Sequence, residues 1–312
     1  MLTRRRFANL SAASVMAAPF VAHAREDYPT RSIRLIVPWP PGGGVDTFGR
    51  VIQAGLGAHL GQNIIIENIG GGSGRIGTQA ASRAAPDGYT LLLANDTFAA
   101  TDALPIARAA PLRSAFEPIT LAISAPQGVF THPGSGFRTI EEFAAAARAR
   151  PEKLNVGVPG IGSSQHLTSE LLLRAAGNLR VTHVPYRGGG PLLLDLVAGN
   201  VDAATVTFAA GAQQANAGQL VALAVTSAGR HASFPNVPTI AETIAPGFAQ
   251  ATWMATRKPT PTSHLRRSSL RHVSQAIRRI TRARATVRPR SCVASTAPAA
   301  LQLRWPTPRC RT

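Results

Sequence analysis

The alternation of short β-rich runs with stretches rich in alanine and leucine is the feature that most constrains the fold of this chain. Runs of valine, isoleucine and leucine predict strands at 33–37, 63–67, 89–93, 128–131, 154–158, 180–184, 201–206 and 220–226. Stretches opened by a capping or turn residue predict helices at 45–60, 139–150, 164–176 and 190–198. Strands that alternate with helices in this way are typical of a parallel sheet with crossover helices, so an α/β fold is expected.

The length of the chain predicts two domains. Its 312 residues exceed the roughly 100–150 residues of an ordinary domain about twofold. Hydrophobic residues make up 45% of the sequence, yet no apolar run of the body reaches the roughly 18 residues that a membrane span requires. A globular protein of two lobes is therefore expected.

The formal net charge of +18 is unevenly distributed along the chain. Residues 256–312 contain 13 arginines, one lysine and no carboxylate, whereas residues 25–255 carry 16 basic and 15 acidic residues. Because the body is nearly neutral, its charge does not predict a nucleic-acid partner. Both cysteines, Cys292 and Cys310, lie in the basic segment, so the body has neither a disulfide nor a thiolate site.

An export signal is predicted at residues 1–24. Residues 4–6 are arginines, an apolar run follows, and residues 22–24 fit an A-x-A cleavage site. The paired arginines followed by x-Phe resemble a twin-arginine signal, and an ordinary secretory signal rich in arginine is the alternative. Both interpretations predict a mature chain that begins near Arg25 and works in the periplasm.

Two glycine-rich turns each follow a predicted strand and open a predicted helix. The first contains Gly42, Gly43 and Gly44, and the second is the segment PGIGSSQH at 159–166. Glycines leave backbone N–H groups uncovered at a helix N-terminus, where the partial positive charge favours a carboxylate or a phosphate. One such turn alone is equally compatible with a tight strand-to-helix connection, but two turns that face each other across a cleft would form an anion site.

A third glycine-rich turn keeps an alternative function open. The residues from Gly72 to Gly77 fit G-x-G-x-x-G after a predicted strand, and Asp96 follows about 20 residues later, as in a dinucleotide-binding fingerprint. This alternative is an exported oxidoreductase that uses a nicotinamide cofactor. A lone match is weak in a chain with 28 glycines. Without a G-K-[ST] phosphate loop or a G-x-S-x-G elbow, we expect no enzymatic activity and no cofactor.

The histidines of the body do not predict a metal site. His132, His166 and His183 lack a nearby acidic residue or second histidine at the spacing of metal ligands. Each is more simply interpreted as a polar residue of a loop or of the surface. No metal is therefore expected.

Seven segments resemble one family of receptors. They are YPTRSIRLIVPWPPGGGVDTFGR from Tyr28, AAPDGYTLLLAN from Ala84, GIGSSQHL from Gly160, HVPYRGGGP from His183, AGNVD from Ala198, LVALAVTS from Leu220 and FPNVPTIAE from Phe234. They occur in the order found in Bug-type receptors, the extracytoplasmic substrate-binding proteins of tripartite tricarboxylate transporters. The resemblance covers residue 27 to about residue 254.

The resemblance implies a two-lobed α/β fold of periplasmic-binding-protein type II with a hinge. Lobe 1 is expected at 25–125, lobe 2 at 126–226, and a return to lobe 1 at 227–255. The implied function is that of a monomeric solute receptor, which closes around a small carboxylate and delivers it to a membrane transporter or a sensor. Family members hold the ligand largely by backbone amides.

Carried over position by position, the resemblance assigns eleven residues to ligand binding: Gly42, Gly43, Gly44, Asp46, Asn95, Thr97, Gly162, Ser163, Ser164, Gln165 and Tyr186. Asp46 is expected to act as a helix cap rather than as a direct contact. Val206 stands where many family members carry an acidic residue that would suit an amino group on the ligand. A plain carboxylic acid is therefore favoured over an amino acid.

The basic segment departs from the family pattern. Family members continue with an apolar strand and amphipathic helices packed on lobe 1, whereas residues 256–312 are rich in Arg, Ser, Thr and Pro. A shifted reading frame would produce this change, and a disordered nucleic-acid-binding tail is the alternative, although it carries a single aromatic residue, Trp305. We therefore expect a disordered segment and an incomplete first lobe.

Overall fold

The structure is a computed structural model that describes residues 28–103, 112–260 and 273–279. Nine strands lie within those ranges: β1 (Ile33–Val37), β2 (Ile64–Asn68), β3 (Thr90–Asn95), β4 (Phe116–Thr131), β5 (Asn155–Val158), β6 (Thr182–Pro185), β7 (Ala203–Thr207), β8 (Val221–Val225) and β9 (Ala251–Pro259). The predicted export signal at 1–24 lies outside the described residues.

Seven α-helices connect these strands, and a further helical segment follows at 273–279. They are α1 (Gly44–Leu60), α2 (Arg75–Ser82), α3 (Thr97–Ala103), α4 (Ile140–Ala149), α5 (Ser164–Ala175), α6 (Gly189–Val197) and α7 (Phe208–Asn216). Two single 3-10 turns lie at Arg113–Ala115 and Pro133–Ser135. No helix of the described part is both long enough and apolar enough to cross a membrane.

The strands form two connected sheets, one for each lobe. Lobe 1 has the strand order β2-β1-β3-β9-β4, in which β1 runs parallel to β2 and β3, and β9 runs antiparallel to β3 and β4. Lobe 2 has the order β4-β7-β5-β6 with β8 on the other side of β4. The predicted two-lobed α/β architecture is confirmed.

Strand β4 belongs to both lobes, and its middle forms the hinge. Its residues from Phe116 to Pro126 pair with β9, whereas those from Gln127 to Thr131 pair with β7 and β8. The hydroxyl of Thr226 accepts a hydrogen bond from the Gln127 amide at 2.9 Å and donates to the Gln250 carbonyl at 2.7 Å. Three segments that cross between the lobes are therefore tied together at one place.

Each lobe has its own apolar core, formed where helices cover the sheet. Helix α1 buries Val45, Phe48, Ile52 and Leu56, whose spacing places them on one helical face against β1 and β3. Burying one such side chain contributes about 1.5–3 kcal/mol. Helix α4 begins with a capping box between Thr139 and Glu142 and packs on the sheet of lobe 2.

The predicted elements agree best with the structure where a run is apolar and local. Strand β1 has the predicted bounds, and α1 begins one residue earlier than predicted. The first part of β4 is absent from the prediction because it contains two prolines and two register shifts, which weaken the pattern of a strand. The prediction also omits α2, α3 and α7, which are short helices that immediately follow turns or strands.

The folded body extends beyond the predicted boundary at residue 255. Strand β9 continues to Pro259, and Lys258 in it lies opposite Glu117, with 3.3 Å between the amino group and the carboxylate. Val273, Ala276 and Ile277 of the segment at 273–279 are buried in the lobe 1 core. Lobe 1 thus receives apolar contacts from within the basic segment. The rest of the predicted disordered segment, 261–272 and 280–312, lies outside the described residues.

Candidate functional site

Four helices begin around a small cavity between the lobes. Helix α1 begins at Gly44, α5 at Ser164, α6 at Gly189 and α7 directly after Thr207. The cavity wall consists of residues from both lobes: Trp39, Gly43, Gly44, Val45, Asn95, Pro159, Gln165, Gly189, Val206, Thr207 and Ala210. Several of them lie at or just beyond the carboxyl ends of β1, β3, β5 and β7, which is where open α/β sheets bind their ligands.

The electrostatic character of this cavity comes from backbone dipoles. Each helix N-terminus carries unpaired N–H groups and a partial positive charge of about half a unit. Within the part of the chain that the structure describes, no charged side chain lines the wall. Four N-termini that converge on a wall without a charged side chain therefore favour an anion.

The first glycine loop is held in place by Asp46, which is buried. Its carboxylate accepts hydrogen bonds of 2.9 Å from the Gly42 amide, from Nε of Arg50 and from the amide of Asn68. Burial by itself would raise the pKa of Asp46, but the bonds from Arg50, Gly42 and Asn68 outweigh it and leave the pKa lowered. The charged carboxylate thus fixes the loop whose following residues, Gly43 and Gly44, line the cavity.

The loop after β3 places polar groups at the cavity and at the hinge. Asn95 lines the cavity, accepts from the Trp39 indole at 3.4 Å and donates to Thr97 Oγ1 at 3.3 Å. Asp96 accepts from the Thr252 hydroxyl on β9 at 2.8 Å and from the Thr97 amide at 3.1 Å. Burial raises the pKa of Asp96, although hydrogen bonds, including one with Ser164, oppose the rise.

The second glycine loop supplies hydroxyl and amide groups from lobe 2. Ser163 caps α5 by accepting from the His166 amide, and the Ser164 amide donates to Thr97 Oγ1 of lobe 1 at 3.0 Å. Gln165 lines the cavity and donates to Thr207 Oγ1 at 3.3 Å. The contact between Thr97 and Ser164 therefore joins the loop after β3 to the second glycine loop across the cleft.

The lobes are closed on each other, and glycines make this closeness possible. A Cβ on Gly43 would lie 3.5 Å from the Gly189 nitrogen, and one on Gly44 would lie 2.6 Å from the Thr207 Cβ. The cavity between them measures about 20 Å³, room for about one water molecule. A four-carbon acid requires the lobes to open further.

The structure brings together four of the eleven predicted residues at the cavity wall: Gly43, Gly44, Asn95 and Gln165. Asp46 and Gly42 support the first loop from behind, and Gly162, Ser163, Ser164 and Thr97 support or join the loops. Tyr186 is placed elsewhere, because its hydroxyl donates to Asp195 at 2.9 Å within lobe 2 and its ring does not reach the cavity wall. Asp46 was predicted to cap the helix, but the N-cap of α1 is Gly43 without a side-chain cap bond, and the Asp46 carboxylate instead anchors the loop through the Gly42 amide.

Seven wall residues were not predicted: Trp39, Val45, Pro159, Gly189, Val206, Thr207 and Ala210. One signal for them was available, since Trp39, Pro159 and Thr207 each follow or end a predicted strand, as the glycine loops do. Ala210 had no such signal, because it lies inside a helix that the sequence did not predict.

The turn from Gly72 to Gly77 is packed against protein rather than open to a cofactor. A Cβ on Gly77 would lie 2.3 Å from the Ile69 carbonyl oxygen and 2.7 Å from the Pro38 Cα. Ser73, whose φ is 52°, donates its hydroxyl to the Ile161 carbonyl of lobe 2 at 2.7 Å. The turn thus serves the closure of the lobes, which removes the structural basis of the dinucleotide reading.

The structure corrects the interpretation of the histidines. His166 and His183 pack edge to face with ring centroids 4.9 Å apart, and Glu170 lies beside both. One possible ligand atom of each of the three side chains lies within 4.8 Å of the others. The sequence signal was present, since Glu170 follows His166 by four residues on α5 and therefore shares its face.

Comparison with known proteins places the sequence among transport receptors. The profile of the tripartite tricarboxylate transporter family receptor matches residues 48–289. A UPF0065 protein encoded between tcbD and tcbE in Pseudomonas sp. strain P51 is 38% identical over 269 residues, which are 85% of this chain and 79% of that protein. Protein BugT of Bordetella pertussis is 34% identical over 249 residues, covering 79% and 75%.

Solved structures of similar proteins share the fold. The periplasmic binding protein BugD is 30% identical with a TM-score of 0.73, covering 81% of this chain and 83% of its own. An R. palustris protein solved with adipate has the same identity, TM-score and coverage. MatC from Rhodopseudomonas palustris, solved with malate, is 30% identical with a TM-score of 0.72, covering 81% and 85%.

Proposed function

Because the chain belongs to the family of tripartite tricarboxylate transporter receptors, we propose that it is a periplasmic solute-binding protein that closes its lobes around a small carboxylate. The observation that carries this proposal is the convergence of four helix N-termini on one cavity whose described wall bears no charged side chain. Backbone N–H groups at such termini recognise a carboxylate without a basic side chain. Similar proteins with adipate and with malate, both dicarboxylates, support this ligand class.

The wall between the glycine loops favours a ligand with an apolar middle. Trp39, Val45, Val206 and Ala210 supply apolar surface there, and Val206 is 1% exposed. A ligand amino group buried against these residues would lose its hydration without gaining an anionic partner. We infer that the ligand is a plain carboxylic acid, such as an aliphatic dicarboxylate, rather than an amino acid.

Binding requires a hinge movement because the closed cavity is too small for such a ligand. The interlobe contacts of Thr97 with Ser164 and of Ser73 with Ile161 belong to the closed state. A ligand that contacts both glycine loops would hold the lobes slightly further apart than they are here, would bind that arrangement more tightly than the fully open one, and would shift the population toward it. Closure then gives a membrane partner a shape to recognise.

The proposal extends to the cellular setting. The chain would work as a monomeric receptor without catalysis or a nucleic-acid partner, and would deliver its ligand to transporter subunits or to a sensor in the membrane. We infer that residues 1–24 direct export and that the paired arginines use the twin-arginine route. The twin-arginine route exports proteins that have already folded, which suits a receptor that meets its ligand in the periplasm.

A thermal-shift panel tests the ligand class. The panel contains adipate, malate and citrate, and aspartate, glutamate and NAD serve as controls. We expect one or more of the first three compounds to raise Tm and none of the controls to do so. A ligand at 100 times its Kd stabilises by about 2.7 kcal/mol, or roughly 5–10 °C for a protein of this size. A response to NAD alone would reject the receptor proposal, and a response to the amino acids alone would reject the inferred acid.

A further inference from the structure

A chain of polar side chains, linked by hydrogen bonds and one longer electrostatic contact, lies behind the second glycine loop, outside the cavity. The Gly162 amide donates to Nδ1 of His166 at 3.2 Å, and Nε2 of His166 lies 3.9 Å from the Glu170 carboxylate. The same carboxylate lies 3.2 Å from Nδ1 of His183, whose Nε2 is 2.9 Å from the Ser169 hydroxyl. Both imidazoles are mostly buried, with 17% and 10% of their side chains exposed.

These contacts determine where each neutral imidazole carries its hydrogen. Nδ1 of His166 accepts from Gly162, so the hydrogen of His166 sits on Nε2 and faces Glu170. Nδ1 of His183 faces the same carboxylate and therefore carries the hydrogen, which leaves Nε2 to accept from Ser169. The Glu170 carboxylate thus faces one N–H group of each imidazole, and the chain has a single consistent pattern of donors.

This pattern uses the nitrogen that a divalent cation would need. A cation among the three side chains would bind Nε2 of His166, and the hydrogen would then move to Nδ1 and face the Gly162 N–H. The hydrogen bond to the loop would be lost. The observed contacts therefore describe a chain of polar contacts that ends in a hydrogen bond on the loop.

We propose that His166, Glu170 and His183 form a positioning relay, which fixes the Gly162 amide and thereby holds the second glycine loop in its ligand-binding conformation. Gly162 has a φ of 71° and precedes Ser163 and Ser164, whose contacts cap α5 and join lobe 1. Gln165 of the cavity wall follows directly. The effect on ligand binding rests on the proposed function, whereas the effect on the loop does not.

The relay predicts a dependence on pH. A second proton on His166 goes to Nδ1, which then faces the Gly162 N–H as another donor, and their hydrogen bond is lost. Burial lowers the pKa of His166 and of His183, and Glu170 raises both without reversing the effect; His166 further lowers that of His183. Among the described residues these three are the titratable groups that act on the pair. The relay is therefore intact at neutral pH and is lost as the pH falls below the lowered pKa of His166.

Nitrogen NMR of the ligand-free protein tests the tautomers of His166 and His183. The measurement is made at pH 7.5, about one unit above an ordinary histidine pKa, so that both imidazoles are neutral. We expect hydrogen on Nε2 of His166 and on Nδ1 of His183. Hydrogen on Nδ1 of His166 would overturn the relay, because that tautomer cannot accept from Gly162.

Two substitutions at His166 separate positioning from mere bulk. In His166→Asn the amide oxygen replaces Nδ1 as the acceptor, whereas His166→Leu removes the acceptor and retains apolar volume. We expect exchange of the Gly162 amide to rise about tenfold in His166→Leu and to stay within about twofold in His166→Asn, as for the loss of one hydrogen bond. Equal exchange rates in the two folded variants would overturn the proposal.

Adipate affinity, measured by calorimetry between neutral and mildly acidic pH, adds the functional readout. The wild-type protein should show a loss of affinity as the pH falls through the lowered His166 pKa, and His166→Asn should lack this step. The same loss of affinity at acidic pH in the wild type and in His166→Asn would show that the relay does not cause it. Since amide exchange is measured without ligand, failure of adipate to bind the wild type would count against the proposed function and leave the loop test decisive.

Discussion

Gly44 of lobe 1 faces Thr207 of lobe 2 so closely that a methyl group on Gly44 would lie 2.6 Å from the Thr207 Cβ. Real Cβ atoms essentially never approach a neighbour to this distance. The φ of Gly43, by contrast, is −81°, which any residue can adopt, and a Cβ there meets only ordinary contacts. Closure therefore depends on the small size of Gly44 rather than on special backbone geometry at Gly43.

Substitution of Gly44 by alanine should weaken binding by holding the lobes apart. We expect adipate affinity to fall at least about tenfold, a cost of about 1.4 kcal/mol, with the fold retained. Isothermal calorimetry measures the change. Gly229→Ala is the matched control, because a Cβ at Gly229 has no neighbour within 4 Å. Wild-type affinity in Gly44→Ala would show that the ligand-bound lobes leave room for a methyl group between Gly44 and Thr207, and would contradict this prediction.

Val206 should control the choice of ligand. In Val206→Asp a carboxylate enters the cavity wall and repels the ligand carboxylate where water is excluded, so we expect adipate affinity to fall at least about tenfold. Val206→Asn introduces a polar group without the charge, so its loss of adipate affinity should be smaller. Equal losses in a calorimetric comparison would mean that apolar contact, rather than charge, determines binding at Val206.

Asp96 should make stability depend on pH. Burial raises its pKa, so its contribution to stability is fully present below the unfolded value and is lost as the pH rises through the raised folded value. Asp96→Asn retains an oxygen that accepts from Thr252 and Thr97 without the cost of a buried charge. We expect this variant to have the higher Tm at neutral pH and the difference to shrink in acid. A constant difference across the pH range would contradict the raised pKa.

The helical segment at 273–279 should contribute to the stability of lobe 1. Ile277 is fully buried in its core, so Ile277→Ala should cost about 2–4 kcal/mol and lower Tm by roughly 5–10 °C. Gln275, an exposed residue of the same segment, supplies the control Gln275→Ala. Equal melting temperatures for the two variants would support the sequence prediction that the basic segment does not pack.

Local apolar runs and turns made much of this fold predictable. The buried run at Ile33–Val37 and the glycines before Asp46 indicate a strand, a turn and a helix in that order, as observed. Strand β9 could not be predicted in the same way, because Lys258 and Arg257 resemble a solvated segment until their partners are known. Glu117 and the ring of Phe98 are those partners, and both are more than 100 residues away along the chain.

The site shows the same division between local and distant information. Gly43, Gly44 and Gln165 were predicted as site residues because each lies in or next to a glycine-rich turn that indicates a helix N-terminus. Thr207 and Ala210 were not predicted as wall residues because α7 has no capping signal and begins directly at the end of β7. Tyr186 was assigned by resemblance alone, and its hydroxyl is engaged by Asp195 on the same lobe.

The bonds of Thr226 to Gln127 and Gln250 have a mechanical consequence. They tie the crossing segments together at one place, so we expect the lobes to open by a rotation about that place, with displacements that grow with distance from it. The contact between Ser73 and Ile161 is an interlobe contact of the closed state. The distance between spin labels at the exposed Ile76 and Ile161 should therefore change strongly as the receptor binds and releases its ligand, whereas the distance between labels beside Thr226 should hardly change.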